Sequence, residues 1–546
     1  MVTLRVDGHD VEVPDGTPTL LDALRSHAGA LSVKDGCSPQ GQCGCCTVLV
    51  DGAPRVACVT PVRRLAGREI TTFEGLDPER RSAWAEAFVA TGASQCGFCS
   101  PGIVCRLEGS AQKAAKRSVV GASADGGPPE GEAPAGLSRP EVERALAAHL
   151  CRCTGWQPIT EAALGLGVRS GHERDGVATQ RAGLRAVLEG GAAQHVGPDV
   201  VAGRAGFAAD TAPDGAAVVV SDGAGGWVAG DSLFEARAAA GKVQGRRSTA
   251  AAEPPVAVPD GEWAVRLATS WVEPAYLETD ASWCEPGGEP ATPLANGGAF
   301  GAKRESPVTG VAREWADRLG RPVLAMLSRE DSVRLGVKRP PIAAGLRTDG
   351  TGRVLVGWSG DGDPTPVLDR MSSVLPLAAV EVVPIVGPPT SSELRAAGWA
   401  EAQALAAALA GTKPTDVVVS APEGGVARVE AFGPDGITVA VSAGDPLDDV
   451  VLRSFVIGAV HAALGWVATE GLAVVDGEVA DLTIRSFGIL RAADLPPVTV
   501  AIDRDVDGDP AVPVAPAVFA AVAAAAWSSA RFRPTWPLGG LPWTLG

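Results

Sequence analysis

The sequence predicts a multidomain α+β protein, and three observations predict it. The chain has 546 residues, enough for about three to four domains of ordinary size. Its opening residues alternate apolar and polar positions in short runs broken by Asp-Gly turns, the period of strands, and helix-capping signals follow. Ten of its 11 cysteines lie before residue 154, so the chemistry is concentrated in the front third.

The elements follow in order. Residues 1–14 read as a β-hairpin around Asp7-Gly8. They lack the basic start and apolar run of a secretory signal. Thr17-Pro18 opens a short helix with Leu20, Leu21 and Leu24 on one side. Residues 47–50 and 56–59 form a second hairpin about Asp51-Gly52. Asp77-Pro78 opens a helix carrying Trp84 and Phe88, and Ser100-Pro101 opens another that carries Cys105 as a core residue. Ser138 and Glu141 have the spacing of a capping box, with Val142, Leu146 and Leu150 as an apolar stripe. Residues 108–137, rich in Ser, Gly, Ala and Pro, read as a flexible insertion.

Composition narrows the function. The chain is 46% hydrophobic and 20% charged, ordinary for a globular protein. A net charge of −17 repels phosphate backbones, so nucleic acid is not an expected partner. The longest apolar stretch, 512–527, is interrupted by Pro and short for a bilayer. The expectation is a cytoplasmic protein with no membrane partner.

In a reducing compartment, clustered cysteines are metal ligands more often than disulfides. In the first group, Cys43 and Cys46 have the C-x2-C spacing of a plant-type [2Fe–2S] loop, and Cys58 is a suitable distant fourth ligand. Cys37 leaves five residues before Cys43, one more than that pattern asks. Gly36, Gly41 and Gly44 suit a loop wrapped around an inorganic core. Zinc is the alternative, but it prefers two separated C-x2-C pairs and this loop has one. Cys45 is an extra thiol that could replace Cys43 or Cys46. The second group is Cys96, Cys99, Cys151 and Cys153, a C-x2-C followed by a C-x-C. Cys284 reads as a buried thiol. His9, His27, His149, His172, His195 and His461 are scattered and read as surface or core residues.

The motifs QCGFCSPG (95–102) and CRCTGW (151–156), after the loop CGCCTVL (43–49), resemble the xanthine dehydrogenase and aldehyde oxidoreductase family of molybdenum hydroxylases. The resemblance implies two [2Fe–2S] clusters, one for each cysteine group. It implies a ferredoxin-like β-grasp domain over residues 1–76 and a helical-bundle [2Fe–2S] domain over 77–165. Residues 166–195 are then a linker or short helices. A shortened α/β hammerhead over 196–255 and two shortened molybdopterin-binding-like α+β parts, 256–371 and 372–546, complete the chain. The weaker matches are VVAGRAGFAAD (200–210), VEPAYLETD (272–280) and GGAFGAK (297–303). By resemblance, Gln95, Gly297, Gly298, Phe300 and Gly301 would face a molybdenum–molybdopterin cofactor, in this chain or in a partner subunit. GGAFGAK has neither P-loop nor dinucleotide spacing, and DRDVDG (503–508) lacks the EF-hand glutamate because position 514 is Val.

The departures are as informative. The family's segment between Glu285 and Gly297 is missing. Its catalytic glutamate aligns with Asp509, one methylene shorter. That displaces the carboxylate by about 1 Å, a misplacement that can cost roughly a hundredfold in rate. An acidic surface turn is the other reading of Asp509. The resemblance therefore implies an oxidoreductase, with the chain as an iron–sulfur electron-transfer subunit. Its partners would be a molybdenum-cofactor subunit, an FAD subunit, or both. The alternatives are a compact hydroxylase of heterocycles or aldehydes with Asp509 as base, and a C-terminal half that serves only for assembly.

Overall fold

The computed structural model describes residues 1–122, 136–166, 176–241, 248–294, 299–504 and 509–545. Alternation works as expected in the first hairpin. Val2–Val6 pairs antiparallel with His9–Val13, which turns Leu4, Val6 and Val13 to the buried face. Asp7 makes the turn at φ 50. The hairpin joins a five-stranded mixed sheet in the order His9–Val13, Val2–Val6, Glu69–Thr71, Thr47–Val50, Ala53–Val56.

Two local expectations move by a few residues. The first helix is Leu20–Ser26, and its cap is Thr19, whose hydroxyl accepts from the Asp22 N–H at 3.3 Å. Thr17-Pro18 lies too early because Thr19 is the residue with extended backbone ahead of the first helical turn. The second hairpin closes on Ala53–Val56, and residues 57–59 tighten into a 3₁₀ turn that carries Cys58.

Four helices follow: Pro78–Thr91, Ser100–Ala122, Arg139–Leu146 and Gln157–Leu164. Asp77 caps the first through the N–H groups of Glu79 and Arg80. Glu141 accepts from the Ser138 N–H at the start of the third. The helix Ser100–Ala122 corrects the reading of residues 108–137 as a loop, at least as far as Ala122. Its Ala, Gln, Lys and Arg content favours helix once a first turn is anchored. Glu108 supplies the anchor by accepting from Arg80, Trp84 and Gln112. Residues 123–135 of that insertion lie outside the described residues.

Beyond residue 195 the fold is α+β. One sheet runs Trp227–Gly230, Ala217–Ser221, Val323–Met326, Ala281–Cys284. A second runs Ala378–Pro384, Gly352–Trp358, Ile342–Leu346, Val265–Thr269, Thr535–Trp536. A third joins Val418–Ser420, Val426–Gly433, Gly436–Ser442 and Val498–Ile502. The largest core packs these last two sheets around Trp399–Leu409, Asp449–Ala468 and Ala515–Ser529. Asp449–Ala468 is long and apolar enough to cross a membrane, but 89% of its apolar window is buried inside the protein. It is a core helix here.

The segment 166–195 contains a helix, Gly176–Gly190, docked on the C-terminal part. Arg185 is fully buried and donates to the carbonyls of Asp445, Pro446 and Val512 at 2.6, 3.0 and 2.8 Å. Glu189 accepts from the Ala515 N–H at 2.8 Å, at the start of the last long helix. The two ends of the chain also meet backbone to backbone. A Cβ on Gly97 would lie 2.3 Å from the Val200 carbonyl oxygen, and one on Gly155 would lie 2.7 Å from that of Ile457.

Candidate iron–sulfur sites and the region beside them

The first cysteine loop leaves the helix Leu20–Ser26 and doubles back onto the five-stranded sheet. Gly41 and Gly44 take φ 68 and 77, and Ser38 takes φ 46. Gly44 is required there, since a Cβ would sit 2.4 Å from the buried His149 ring. The loop brings Cys37, Cys43, Cys46 and Cys58 together, all buried. Cys37 accepts from the Gln40 and Gln42 N–H groups at 3.3 and 3.4 Å, and Cys46 from the Cys58 N–H at 3.4 Å. Its thiol also touches Cys43 and Cys58, and these hydrogen bonds hold Cys37 well below the ordinary thiol range. The extra residue before Cys43 therefore leaves Cys37 inside the nest.

The second nest draws on two segments. Cys96 and Cys99 precede and open the helix Ser100–Ala122, and Cys151 and Cys153 precede Gln157–Leu164. The sulfurs of Cys96 and Cys153 are 3.5 Å apart. A hydrogen bond from Cys99 and another from Thr154 pull the Cys151 thiol down to about 6. The Cys45 thiol hydrogen-bonds Cys43 and feels the charge of Cys96. Cys105 is buried on its helix, and desolvation raises its thiol. Cys284 is buried in a strand and donates to the Glu285 carbonyl. None of the 11 cysteines forms a disulfide. Both nests are thiol-rich, dry and supplied with N–H or O–H donors to sulfur. That donor set fits an iron–sulfur cluster, whose thiolates need such donors and exclusion of water.

The residues expected around molybdopterin behave differently. Gln95 is buried, and its amide nitrogen donates to the Cys153 carbonyl at 3.1 Å and to the Ser454 carbonyl and hydroxyl at 3.1 and 3.0 Å. Gly297 and Gly298 lie outside the described residues. Gly301, at φ 97, is pressed against residue 393: a Cβ would meet the Glu393 carbonyl oxygen at 1.9 Å. Phe300 has Arg395 at 4.5 Å and Arg152 at 5.9 Å from its ring centroid. Asp509 is exposed, and its carbonyl accepts from the Asp445 N–H at 3.1 Å. It lines none of the cavities described here.

Buried ion pairs occupy the space behind the second nest. Arg152 holds Glu470 at 2.5 and 2.6 Å, and Arg339 holds Glu401 at 2.7 and 2.9 Å. Lys303 holds Glu278 at 2.6 Å, and Lys338 faces Glu273 at 3.0 Å. Against these pairs, among the described residues, lie cavities of about 10 and 50 Å³, and one of about 20 Å³ lies beside Gln95 and Ser454. Small-molecule sites typically have about 300–1,000 Å³. Two larger cavities, about 290 and 480 Å³, contain none of Gln95, Phe300, Gly301 or Asp509. The described residues therefore do not fit a molybdopterin group.

The sequence reading missed these charged pairs. Arg152 carried a signal, because a charged residue between two ligand cysteines must find a partner. Its partner Glu470, 318 positions away, carried none.

Comparison with known proteins places the class first. Residues 2–63 match the family described as 2Fe-2S iron-sulfur cluster binding domain, and residues 72–164 match the [2Fe-2S] binding domain. The xanthine dehydrogenase iron-sulfur-binding subunit of Escherichia coli O157:H7 is 39% identical over 150 residues, 27% of this chain and 81% of that protein. The nicotine 6-hydroxylase small subunit of Paenarthrobacter nicotinovorans is 37% identical over 150 residues, 28% of this chain and 78% of that protein. The chain belongs to the xanthine dehydrogenase and aldehyde oxidoreductase family of oxidoreductases and carries its two [2Fe–2S] domains. It spans only 15% of the aldehyde oxidoreductase of Megalodesulfovibrio gigas, to which it is 38% identical over 154 residues. The solved aldehyde oxidoreductase from Desulfovibrio gigas shares the fold across 96% of this chain and 97% of its own, with a TM-score of 0.67 and 15% identity.

Proposed function

We propose that this chain is the electron-transfer member of a hydroxylase complex. In this reading the molybdenum cofactor sits on a partner, and a flavin subunit or another acceptor receives the electrons. The observation that carries it is the contrast between two complete thiol nests and the ion-paired space beside the second. When bound, each cluster would supply one-electron transfer.

The chain's own residues do three things toward that end. Cys37, Cys43, Cys46 and Cys58 would hold one cluster, and Cys96, Cys99, Cys151 and Cys153 the other. The N–H groups of Gln40, Gln42 and Cys58 and the Thr154 hydroxyl stabilise charge on sulfur. Phe98 and Phe207, edge to face at 5.2 Å, keep water from the second nest. Asp509 receives no catalytic role here, because a general base must first reach the proton it abstracts. The apolar core helix gives no reason to assign a membrane partner, and we read the protein as cytoplasmic.

Metal analysis of the chain purified alone and anaerobically tests the reading. About four irons per chain without molybdenum is expected. Zinc in place of iron would overturn the cluster assignment, and near-stoichiometric molybdenum would favour the compact hydroxylase instead.

A further inference from the structure

We propose that Cys45, the extra thiol of the first loop, donates a hydrogen bond to the Cys43 sulfur and thereby raises the midpoint of the first cluster. Cys45 is then a positioning residue and not a ligand. The proposal rests on the reading above that Cys37, Cys43, Cys46 and Cys58 hold that cluster.

Geometry is the first argument. Gly36 stands against both sulfurs: a Cβ there would lie 3.1 Å from the Cys43 sulfur and 3.1 Å from the Cys45 sulfur. One point at that distance from each makes the two sulfurs neighbours, and only a residue without a Cβ leaves them room to meet. The Cys45 thiol and Cys43 are hydrogen-bonded to each other. Backbone holds Cys45 from the other side. A Cβ on Gly102, near the start of the helix Ser100–Ala122, would lie 2.6 Å from the Cys45 carbonyl oxygen. Cys45 is buried, so water does not draw its thiol away.

The distribution of donors is the second. Cys37 accepts from the Gln40 and Gln42 N–H groups, and Cys46 from the Cys58 N–H. Among the described residues, no backbone N–H reaches the Cys43 sulfur. Deprotonated on iron, Cys43 can only accept. Cys45 lies outside the set of four, and a buried thiol that binds no metal keeps its proton. The proton of the pair is therefore on Cys45. An S–H is a weak donor, but the dry surroundings strengthen it.

The consequence follows from charge. One-electron reduction adds negative charge to the ligand thiolates, so a donor to Cys43 favours the reduced form and raises the midpoint. Cys45 also marks the seam between the nests. The Phe98 ring, between Cys96 and Cys99, would lie 3.2 Å from the same Cβ on Gly36, and Cys45 feels the charge of Cys96. A donor placed here, and directed at Cys43, biases an electron shared by the two nests toward the first.

The test uses anaerobic holoprotein with Cys45→Ala and Cys45→Ser, since serine keeps a donor of similar size. Iron should stay at about four per chain in both. In an EPR-monitored redox titration, Cys45→Ala should weaken reduction of the first cluster by about tenfold, a fall of about 59 mV for one electron. Cys45→Ser should keep most of the unaltered value, and the second cluster should move less in both. Proton ENDOR of the reduced first cluster should show an exchangeable coupling that heavy water removes and Cys45→Ala lacks. An unchanged midpoint in Cys45→Ala would overturn the proposal. So would an equal fall in Cys45→Ser, which would assign the effect to packing. Iron dropping to about two in Cys45→Ala would make Cys45 a ligand and end the proposal too. Zinc in the unaltered protein would instead sink the assignment of the nest on which the proposal rests.

Discussion

The two cysteine nests are built differently. The first is wrapped by one loop and closed by Cys58 from the neighbouring hairpin, so nearly all its donors come from residues 36–58. The second needs two segments more than fifty positions apart and a roof from the C-terminal part. Its Gln95 reaches Ser454, and a Cβ on Gly458 would meet the Cys153 carbonyl oxygen at 1.8 Å. The difference teaches that one nest is a local motif and the other a product of the whole fold. Damage to the C-terminal core should reach the second nest first.

Three experiments break or sharpen that contrast. The largest effect belongs to Cys96→Ser. Iron should fall from about four to about two per chain, with one EPR signal lost and the other kept; loss of both would mean that the nests are not independent. Next is Glu470→Gln, which leaves Arg152 buried without its counter-charge. Breaking a buried pair this way costs about 3–5 kcal/mol, read as a lower denaturation midpoint. The second cluster's EPR signal should broaden before the first one's, and equal broadening would contradict the contrast.

The smallest effect is a pH dependence. His461 is fully buried, and desolvation followed by the Arg152 charge lowers it from 6.5 to about 4. The unfolded chain therefore binds that proton more tightly. Stability is intact above pH 6.5 and is lost as pH falls toward 4, by up to about 3 kcal/mol. Urea midpoints across that range check it, and His461→Gln should flatten the curve. A slope unchanged in the variant would assign the acid sensitivity elsewhere.

Much of the first 165 residues was legible because its signals are local. The Asp7-Gly8 turn, the Asp77 cap and the Ser138–Glu141 box each act within four residues, and six of the eight nest cysteines sit in short C-x2-C or C-x-C motifs. The helix Ser100–Ala122 is hidden from residue 108 because its Ser, Gly and Ala content resembles a loop, whereas its anchor at Glu108 rests on Arg80 and Trp84 of the preceding helix. The core helix Asp449–Ala468 has 20 residues and carries Arg453, which hides its length from a search for uninterrupted apolar runs. The pairs Arg152–Glu470 and Arg339–Glu401 were invisible, since nothing periodic links their positions.

Gly97, Gly155 and Gly458 touch backbone across the two parts of the chain, and this limits how the protein can change over generations. A side chain at any of the three would need the opposing backbone to retreat. The iron–sulfur segment therefore cannot be exchanged for that of another family member unless the facing surface around Val200 and Ile457 is inherited with it. The two parts should drift in step, as one heritable unit, even though the family models match within the first 164 residues.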